Sequence, residues 1–189
     1  ISLREEFGID SHSPVDIFGL IASNRDMTVT FLPMSARISG LCIKSDDVKL
    51  IGINSSLTYG RQRFTAAHEL YHIFYDGDLA VRICAKELET NETKEQEANK
   101  FASFFLAPYG ALYNFVRNKL GKRKASLTVE DVVHIEQYFG LSRQATVVRL
   151  QQDGYITPEE AGEMTRHVIA SAKRLGYAVD LYLPAPEDK

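Results

Sequence analysis

The stretch RFTAAHELYHIFYD, residues 63–76, decides how the chain is interpreted. It places His68 and His72 four residues apart, with Glu69 directly after the first histidine. Residues 61–75 carry apolar side chains with helical periodicity, which predicts an amphipathic helix. Side chains four apart lie on one helical face, so both imidazoles can bind a single ion. The alternative is a pair of neutral histidines hydrogen-bonded to the backbone.

Glu69 belongs to the same motif but has a different predicted role. It is rotated from His68 by about 100° of helix turn, so it lies beside a bound ion rather than beneath it. A carboxylate there can take a proton from a water molecule and pass it to a leaving amine, which explains the H-E-x-x-H spelling. Glu69 is therefore the predicted catalytic residue.

A catalytic zinc site requires three protein ligands and one open position. The other three histidines stand singly in the sequence and are interpreted as ordinary surface or core residues. A helix predicted over residues 93–106, with the residue before it, offers carboxylates instead: Glu92, Glu95 and Glu97.

Among these carboxylates we expect Glu97 to be the third ligand. It shares a helical face with Phe101 and Phe104, and burying a carboxylate among phenylalanines is costly unless it is paired or binds a metal. The alternative is an ion pair of Glu97 with Arg61 or Arg63.

Composition limits the class of protein. The chain has 189 residues, 44% of them hydrophobic, and a formal net charge of −3, which suits a compact domain and does not favour nucleic-acid binding. Cys42 and Cys84 are too few for a disulfide framework and are predicted to be buried, reduced thiols. Neither a signal peptide nor a membrane span is recognisable, so we expect a soluble, cytoplasmic protein.

The periodicity predicts an α+β fold. A short helix is expected over residues 14–23, and a short antiparallel sheet of about three strands over residues 28–32, 38–44 and 48–54. The H-E-x-x-H helix and the Glu-bearing helix follow the sheet.

Two domains are expected. Residues 1–120 form the core, and residues 121–189 form a helical C-terminal region packed on it. That region is predicted to contain a helix-turn-helix-like segment at 127–152, a helix over 157–175, a short strand and a tail.

Residues 51–76 and the EQEANKFASFFLAP run at 95–108 together resemble the ImmA/IrrE family of metallopeptidases. The similarity covers roughly residues 15–150 and implies a small zincin-like fold of the gluzincin type. It implies one Zn²⁺ per chain held by His68, His72 and Glu97, with Glu69 as the general base. Tyr71 departs from the family pattern, which usually has glycine at that position.

Other residues are predicted to assist the reaction. Tyr71 and Tyr59 are candidates to stabilise the oxyanion, as donors additional to the metal. Asn99 and Asn54 are candidates to orient the histidines through their second ring nitrogen. Residues 38–44 are expected to form an edge strand that holds an extended substrate.

The resemblance implies an endopeptidase whose protein substrate is a helix-turn-helix repressor encoded nearby, so that cleavage relieves repression. The alternative is a DNA- or protein-binding regulator of a mobile element or toxin–antitoxin-like pair, with a structural or sensory metal. Residues 127–150 read as helix, glycine-containing turn and helix, and basic residues lie just upstream. Because this segment is rich in apolar positions at core spacing, direct nucleic-acid binding is not favoured.

Overall fold

The computed structural model describes residues 3–77, 81–85, 93–123 and 126–185. The helices in these residues are α1 (Leu3–Glu6), α2 (Ile17–Ser23), α3 (Tyr59–Tyr75), α4 (Thr93–Leu106), α5 (Tyr109–Asn114), α6 (Val129–Phe139), α7 (Arg143–Gln152), α8 (Pro158–Met164) and α9 (Val168–Arg174). A π-helical turn follows α5 at Phe115–Lys119, and a 3-10 turn lies at Asp180–Tyr182. The strands are β1 (Met27–Leu32), β2 (Ile38–Lys44), β3 (Lys49–Asn54) and β4 (Val81–Ala85).

The four strands form one sheet in the order β1-β3-β2-β4, which confirms the α+β class and extends the predicted sheet. β2 is antiparallel to β3 and β4, whereas β1 is parallel to β3. The prediction of a fully antiparallel sheet was therefore wrong for β1. The prediction that residues 38–44 form an edge strand was also wrong, because β4 pairs along β2 and takes the edge.

Asn54 explains how the chain passes from β1 to β2. Its side-chain amide donates to the backbone oxygens of Ser35 and Ile38, 3.2 and 2.8 Å away, and its Oδ1 accepts from the backbone N–H of Met34. These bonds fix the connection between the two strands. Asn54 thus organises the sheet and does not contact the histidines predicted to be its partners.

The helices of the C-terminal region pack on the rest of the molecule. One apolar cluster extends from Leu3 to Met164 and includes residues of α3, α4, α6 and α7. Arg149 of α7 donates to the backbone oxygen of Ser103 at 2.9 Å, and Arg63 of α3 donates to Gly140 O at 3.0 Å. The division into two domains at residue 120 stays a prediction.

The end of the chain differs from the sequence-based expectation. The predicted helix over residues 157–175 is two helices, α8 and α9, separated by His167 with a left-handed φ of 51°. The predicted strand is replaced by the 3-10 turn Asp180–Tyr182. The turn between α6 and α7 is made by Gly140 at φ 65°, and Arg143, which would open a recognition helix, is buried against Glu136.

Among the described residues, no helix has the length and apolarity that crossing a membrane requires.

Candidate metal centre

The two histidines of helix α3 direct their Nε2 atoms towards each other, as the motif predicts. The Nε2 atoms of His68 and His72 lie 3.2 Å apart, and the residues are 5% and 0% exposed. α3 is buried along most of its length because it packs between the sheet and α4. Two imidazoles held in the interior need polar partners, and the neighbouring elements supply them.

Glu95 of α4 is the carboxylate that meets both histidines. Its Oε2 lies 3.1 Å from His68 Nε2, and its Oε1 lies 3.3 Å from His72 Nε2. The expectation that Glu97 occupies this place is corrected. Glu97 is exposed, and it accepts a hydrogen bond from the Tyr71 hydroxyl at 2.5 Å. Glu92 lies outside the described residues.

The error follows from the choice of helical face. The buried side of α4 is formed by Ala98, Ala102 and Phe105 rather than by Phe101 and Phe104, which are only partly buried. Glu95 precedes Ala98 by three residues and therefore lies on that buried side. Small alanines at the interface let α4 approach α3, so this face could have been recognised from them rather than from the larger phenylalanines.

The donor atoms of the three side chains lie at about the spacing of ligands around a tetrahedral metal ion. Ligand atoms at the usual distances from zinc stand about 3.4 Å from one another in a tetrahedral site. His68 Nε2 and His72 Nε2 lie 3.2 Å apart, and each lies near a different oxygen of Glu95: His68 Nε2 is 3.1 Å from Oε2, and His72 Nε2 is 3.3 Å from Oε1. Two imidazoles and a carboxylate are also ligand types that zinc accepts, so the residues present fit the ion.

The second ring nitrogen of each histidine faces an oxygen. His68 Nδ1 lies 3.0 Å from Asn99 Oδ1, which agrees with the partner predicted from the sequence. His72 Nδ1 lies 3.5 Å from Asp76 Oδ2, without the geometry of a hydrogen bond. When a metal binds, acceptors in these positions favour the tautomer with hydrogen on Nδ1, which would leave both Nε2 lone pairs for the ion in place of the contacts with Glu95.

The sequence reasoning missed Asp76, although it follows His72 by four residues and so shares its helical face. Its carboxylate is also paired with Lys94 of α4 and with Arg82 of β4, and the hydrogen bond from Lys94 lowers the pKa of Asp76. Asp76 therefore joins three elements of the site.

The surroundings of Glu95 favour its ionised form. Burial opposes ionisation, but hydrogen bonds with His68 and His72 and from Arg82 outweigh it and lower the pKa of Glu95. Arg82 Nε donates to Glu95 Oε1 at 2.8 Å. An anionic carboxylate is the form that binds a cation.

Glu69 points into the interior between α3 and the sheet. It is fully buried, and burial raises the pKa of its carboxyl group, even though the adjacent His68 and His72 oppose this shift. Its Oε1 has no hydrogen-bond partner among the described residues. A Cβ at Gly40 would stand 2.9 Å from that oxygen, so glycine is required for β2 to lie this close.

Cys84 of β4 is a further group that sequence reasoning did not assign to the site. Its Sγ lies 3.5 Å from Glu69 Oε2. The sulfur, one nitrogen of each histidine and a Glu95 oxygen all lie within 4.8 Å of one another, so the four residues could hold a metal ion. Both cysteines are free and buried, as predicted, and burial raises the pKa of each thiol.

The two tyrosines predicted to assist the reaction lie in different places. Tyr71 packs its ring against His72 and donates to Glu97, which raises the pKa of its hydroxyl to about 12. Tyr59 lies at the start of α3 against Phe18, and its backbone N–H bonds Leu183 O at 2.7 Å. No contact of Tyr59 places it at the histidines.

A comparison with solved structures finds a protein of similar fold. The structure is similar to that of a Mycobacterium tuberculosis transcriptional regulator, with a TM-score of 0.50 and 17% identity over 85% of this chain. The matched region is 46% of that protein's chain, so the present chain spans less than half of its length. A search of curated proteins finds no match.

A protein-family comparison covers the elements that build the site. The Peptidase M78 family, described as the IrrE N-terminal-like domain, matches residues 22–151, a range that includes α3, β4 and α4. The match extends over more than two thirds of the chain and confirms the similarity recognised in the two sequence motifs. The chain belongs to the Peptidase M78 family.

Proposed function

We propose that the protein is a zinc-dependent endopeptidase. The observation that carries this proposal is the arrangement of three donors at tetrahedral spacing, supplied by His68, His72 and Glu95, beside the buried carboxylate of Glu69. A purely structural site has no need of a fourth buried ionisable group without a compensating partner, since such a group is costly.

The residues divide the chemistry among them. Zinc held by the three donors would polarise the scissile carbonyl and lower the pKa of a water molecule at its open position. Glu69 accepts the proton of the attacking water and returns it to the departing nitrogen, and its raised pKa suits a group that must do both. Asn99 and Asp76 orient the histidines.

The proposed substrate is a helix-turn-helix repressor encoded near this protein, so that cleavage relieves repression. Two findings support it: the resemblance to the ImmA/IrrE family, and the similarity in fold to a protein described as a transcriptional regulator. A substrate of this kind places the enzyme in the cytoplasm.

The first test is the amount of metal per chain, measured by elemental analysis of protein purified without chelator. We expect about one zinc in the wild type, much less in Glu95→Ala, and the wild-type amount in Glu97→Ala. Glu97 is the matched control because it lies two residues away on the same helix and is exposed. Folded wild-type protein that contains no metal and rejects added zinc would refute the proposal.

The second test is cleavage of repressors encoded beside this protein. We expect at least one to be cut at a single site by the wild type and to remain intact with Glu69→Gln, which keeps the shape of the side chain. Cleavage by both proteins would trace the activity to a contaminant and would contradict the role of Glu69.

A further inference from the structure

The groups that the proposed reaction needs are closed off from solvent. His68 is 5% exposed, and Glu69, His72 and Cys84 are 0% exposed. A peptide bond must contact Glu69 and the metal for the proposed chemistry. In this conformation Glu69 has no exposed surface, although Glu95, the third ligand, keeps 13% of its side chain exposed. One element that contacts this site is β4, through Cys84 to Glu69 and through Arg82 to Glu95.

β4 is attached to the molecule along one edge. It is the last strand of the sheet and pairs with β2, and among the described residues no strand lies beyond it. Its side chains alternate, as they do in any strand. Val81 and Ile83 point outward and are 62% and 61% exposed, whereas Arg82 and Cys84 point inward.

Both inward side chains contact the metal centre. Arg82 donates to Glu95 Oε1 at 2.8 Å and lies 3.4 Å from Asp76 Oδ2. Its guanidinium therefore pairs with a metal ligand and with the carboxylate that faces His72. Strand β4 is tied to the site by these charges rather than by apolar packing of its outer face.

The Cys84 sulfur lies close both to Glu69 and to the donor atoms that would hold the metal. The attacking water must touch both the metal and Glu69. The Cys84 sulfur lies 3.5 Å from Glu69 Oε2 and falls within the same 4.8 Å group of donor atoms as His68, His72 and Glu95. The other carboxylate oxygen of Glu69 is buried without a hydrogen-bond partner among the described residues. The hydrogen bond from Cys84 therefore does not by itself account for the burial of this carboxylate.

We propose that β4 is an inhibitory strap in which Cys84 completes a closed metal site of two histidines, one glutamate and one cysteine. The inference rests on the proposed peptidase function and concerns its regulation. On coordination the thiol loses its proton, and Glu69 Oε2 is the nearest acceptor. Activity then requires β4 to leave β2, so that an extended substrate segment can pair with β2 in its place.

The ligand role of Cys84 is tested by replacing zinc with Co²⁺ and recording absorption spectra. Sulfur bound to cobalt gives a near-ultraviolet charge-transfer band that imidazole and carboxylate ligands do not give. We expect this band in the wild type and in Cys42→Ala, and its loss in Cys84→Ala with cobalt still bound. Cys42 is the control because it is the other buried thiol and also hydrogen-bonds Glu69.

Metal affinity gives a second readout. Competition with a chromophoric chelator is expected to show zinc binding at least about tenfold weaker in Cys84→Ala than in Cys42→Ala, because a ligand is lost. Cys84→Ser, which is close in size, serves if the alanine variant does not fold. A wild-type cobalt spectrum without the sulfur band, together with equal zinc affinities, would overturn the ligand role.

The inhibitory role is tested with fluorescein-labelled casein as an unstructured probe. Arg82→Ala and Cys84→Ala are each expected to raise the rate of hydrolysis at least tenfold over wild type. Variants that cleave no faster would overturn the inhibitory role. These outcomes are separate from failure of the peptidase proposal, which would appear as no metal in the wild type and no difference between Glu95→Ala and Glu97→Ala.

Discussion

Two buried polar clusters of this molecule contain a glutamate, and they are built differently. Around Glu69 in the metal centre, one carboxylate oxygen has no partner among the described residues, and the partners of the carboxylate are the thiols of Cys84 and Cys42. Around Glu136 in the C-terminal region, Arg143 donates to both oxygens at 2.7 and 2.8 Å. Both glutamates are 0% exposed, so burial alone does not separate them.

The side chains around Glu136 satisfy one another's hydrogen bonds. The Tyr182 hydroxyl also donates to Glu136, and the guanidinium of Arg143 reaches Met164 O and the Ser171 hydroxyl. These bonds join α6, α7, α8, α9 and the 3-10 turn. A buried polar group with every bond made fixes the packing of its neighbours, whereas a buried carboxylate left incomplete indicates a chemical task.

The largest expected effect on stability comes from removing Arg143 from the cluster around Glu136. Arg143→Ala leaves the Glu136 carboxylate buried without its cation and should cost about 3–5 kcal/mol of unfolding free energy. Urea denaturation followed by circular dichroism measures this loss. Removing both charges at once, with Glu136→Leu and Arg143→Met, should restore most of it, and a double variant as unstable as the single one would contradict the explanation.

A smaller loss is expected where the sheet meets Glu69. In Gly40→Ala the new methyl group would stand 2.6 Å from Thr65 Cγ2 and 2.9 Å from both Glu69 Oε1 and Gly52 O. Such overpacking should cost about 1–3 kcal/mol, measured by the same denaturation. Gly110→Ala in α5 is the control, since a Cβ there meets nothing within 4 Å. Equal stability of the two variants would contradict the tight packing of β2 on α3.

The parts of the structure that depend on local pattern were predictable from the sequence. The helix carrying His68 and His72 follows from periodicity, and the helix caps at Ser142 and Thr157 follow from short-range chemistry. The choice of Glu95 over Glu97 depends on which face of α4 meets α3. The two glutamates are only two residues apart but lie on different faces of the helix, so a wrong choice of face selects the wrong glutamate.

The contribution of β4 could not be predicted because it depends on long-range pairing. Cys84 and Arg82 reach the site only because β4 adds to β2, about 40 residues earlier in the chain. The parallel pairing of β1 with β3 is also non-local, since Met27 pairs with Lys49. Spacing within the H-E-x-x-H motif carries no information about either arrangement.

A modest effect is expected at Tyr71, where this chain departs from its family. Tyr71→Phe removes the hydrogen bond to Glu97, which is exposed, so the loss should be below about 1 kcal/mol. Zinc content should stay at the wild-type level, because neither residue touches the metal ligands through this bond. Loss of zinc in Tyr71→Phe would show that Glu97 is part of the centre after all, and would reverse the assignment of Glu95.

Glu69→Gln is expected to have the smallest effect on stability. It also gives the clearest contrast with the same substitution at Glu136. The substitution removes a buried charge that lacks a full set of partners, so the unfolding free energy of chelator-treated protein should be unchanged within about 0.5 kcal/mol or should rise. Glu136→Gln, measured beside it, should be destabilised by several kcal/mol, since Arg143 is then left buried without its anion.

Repressor cleavage should show the opposite order, with a loss of about 10²- to 10⁴-fold for Glu69→Gln and a normal rate for any folded Glu136→Gln. If Glu69→Gln were the less stable of the two, its carboxylate would be structural and the difference between the two clusters would lose its functional meaning.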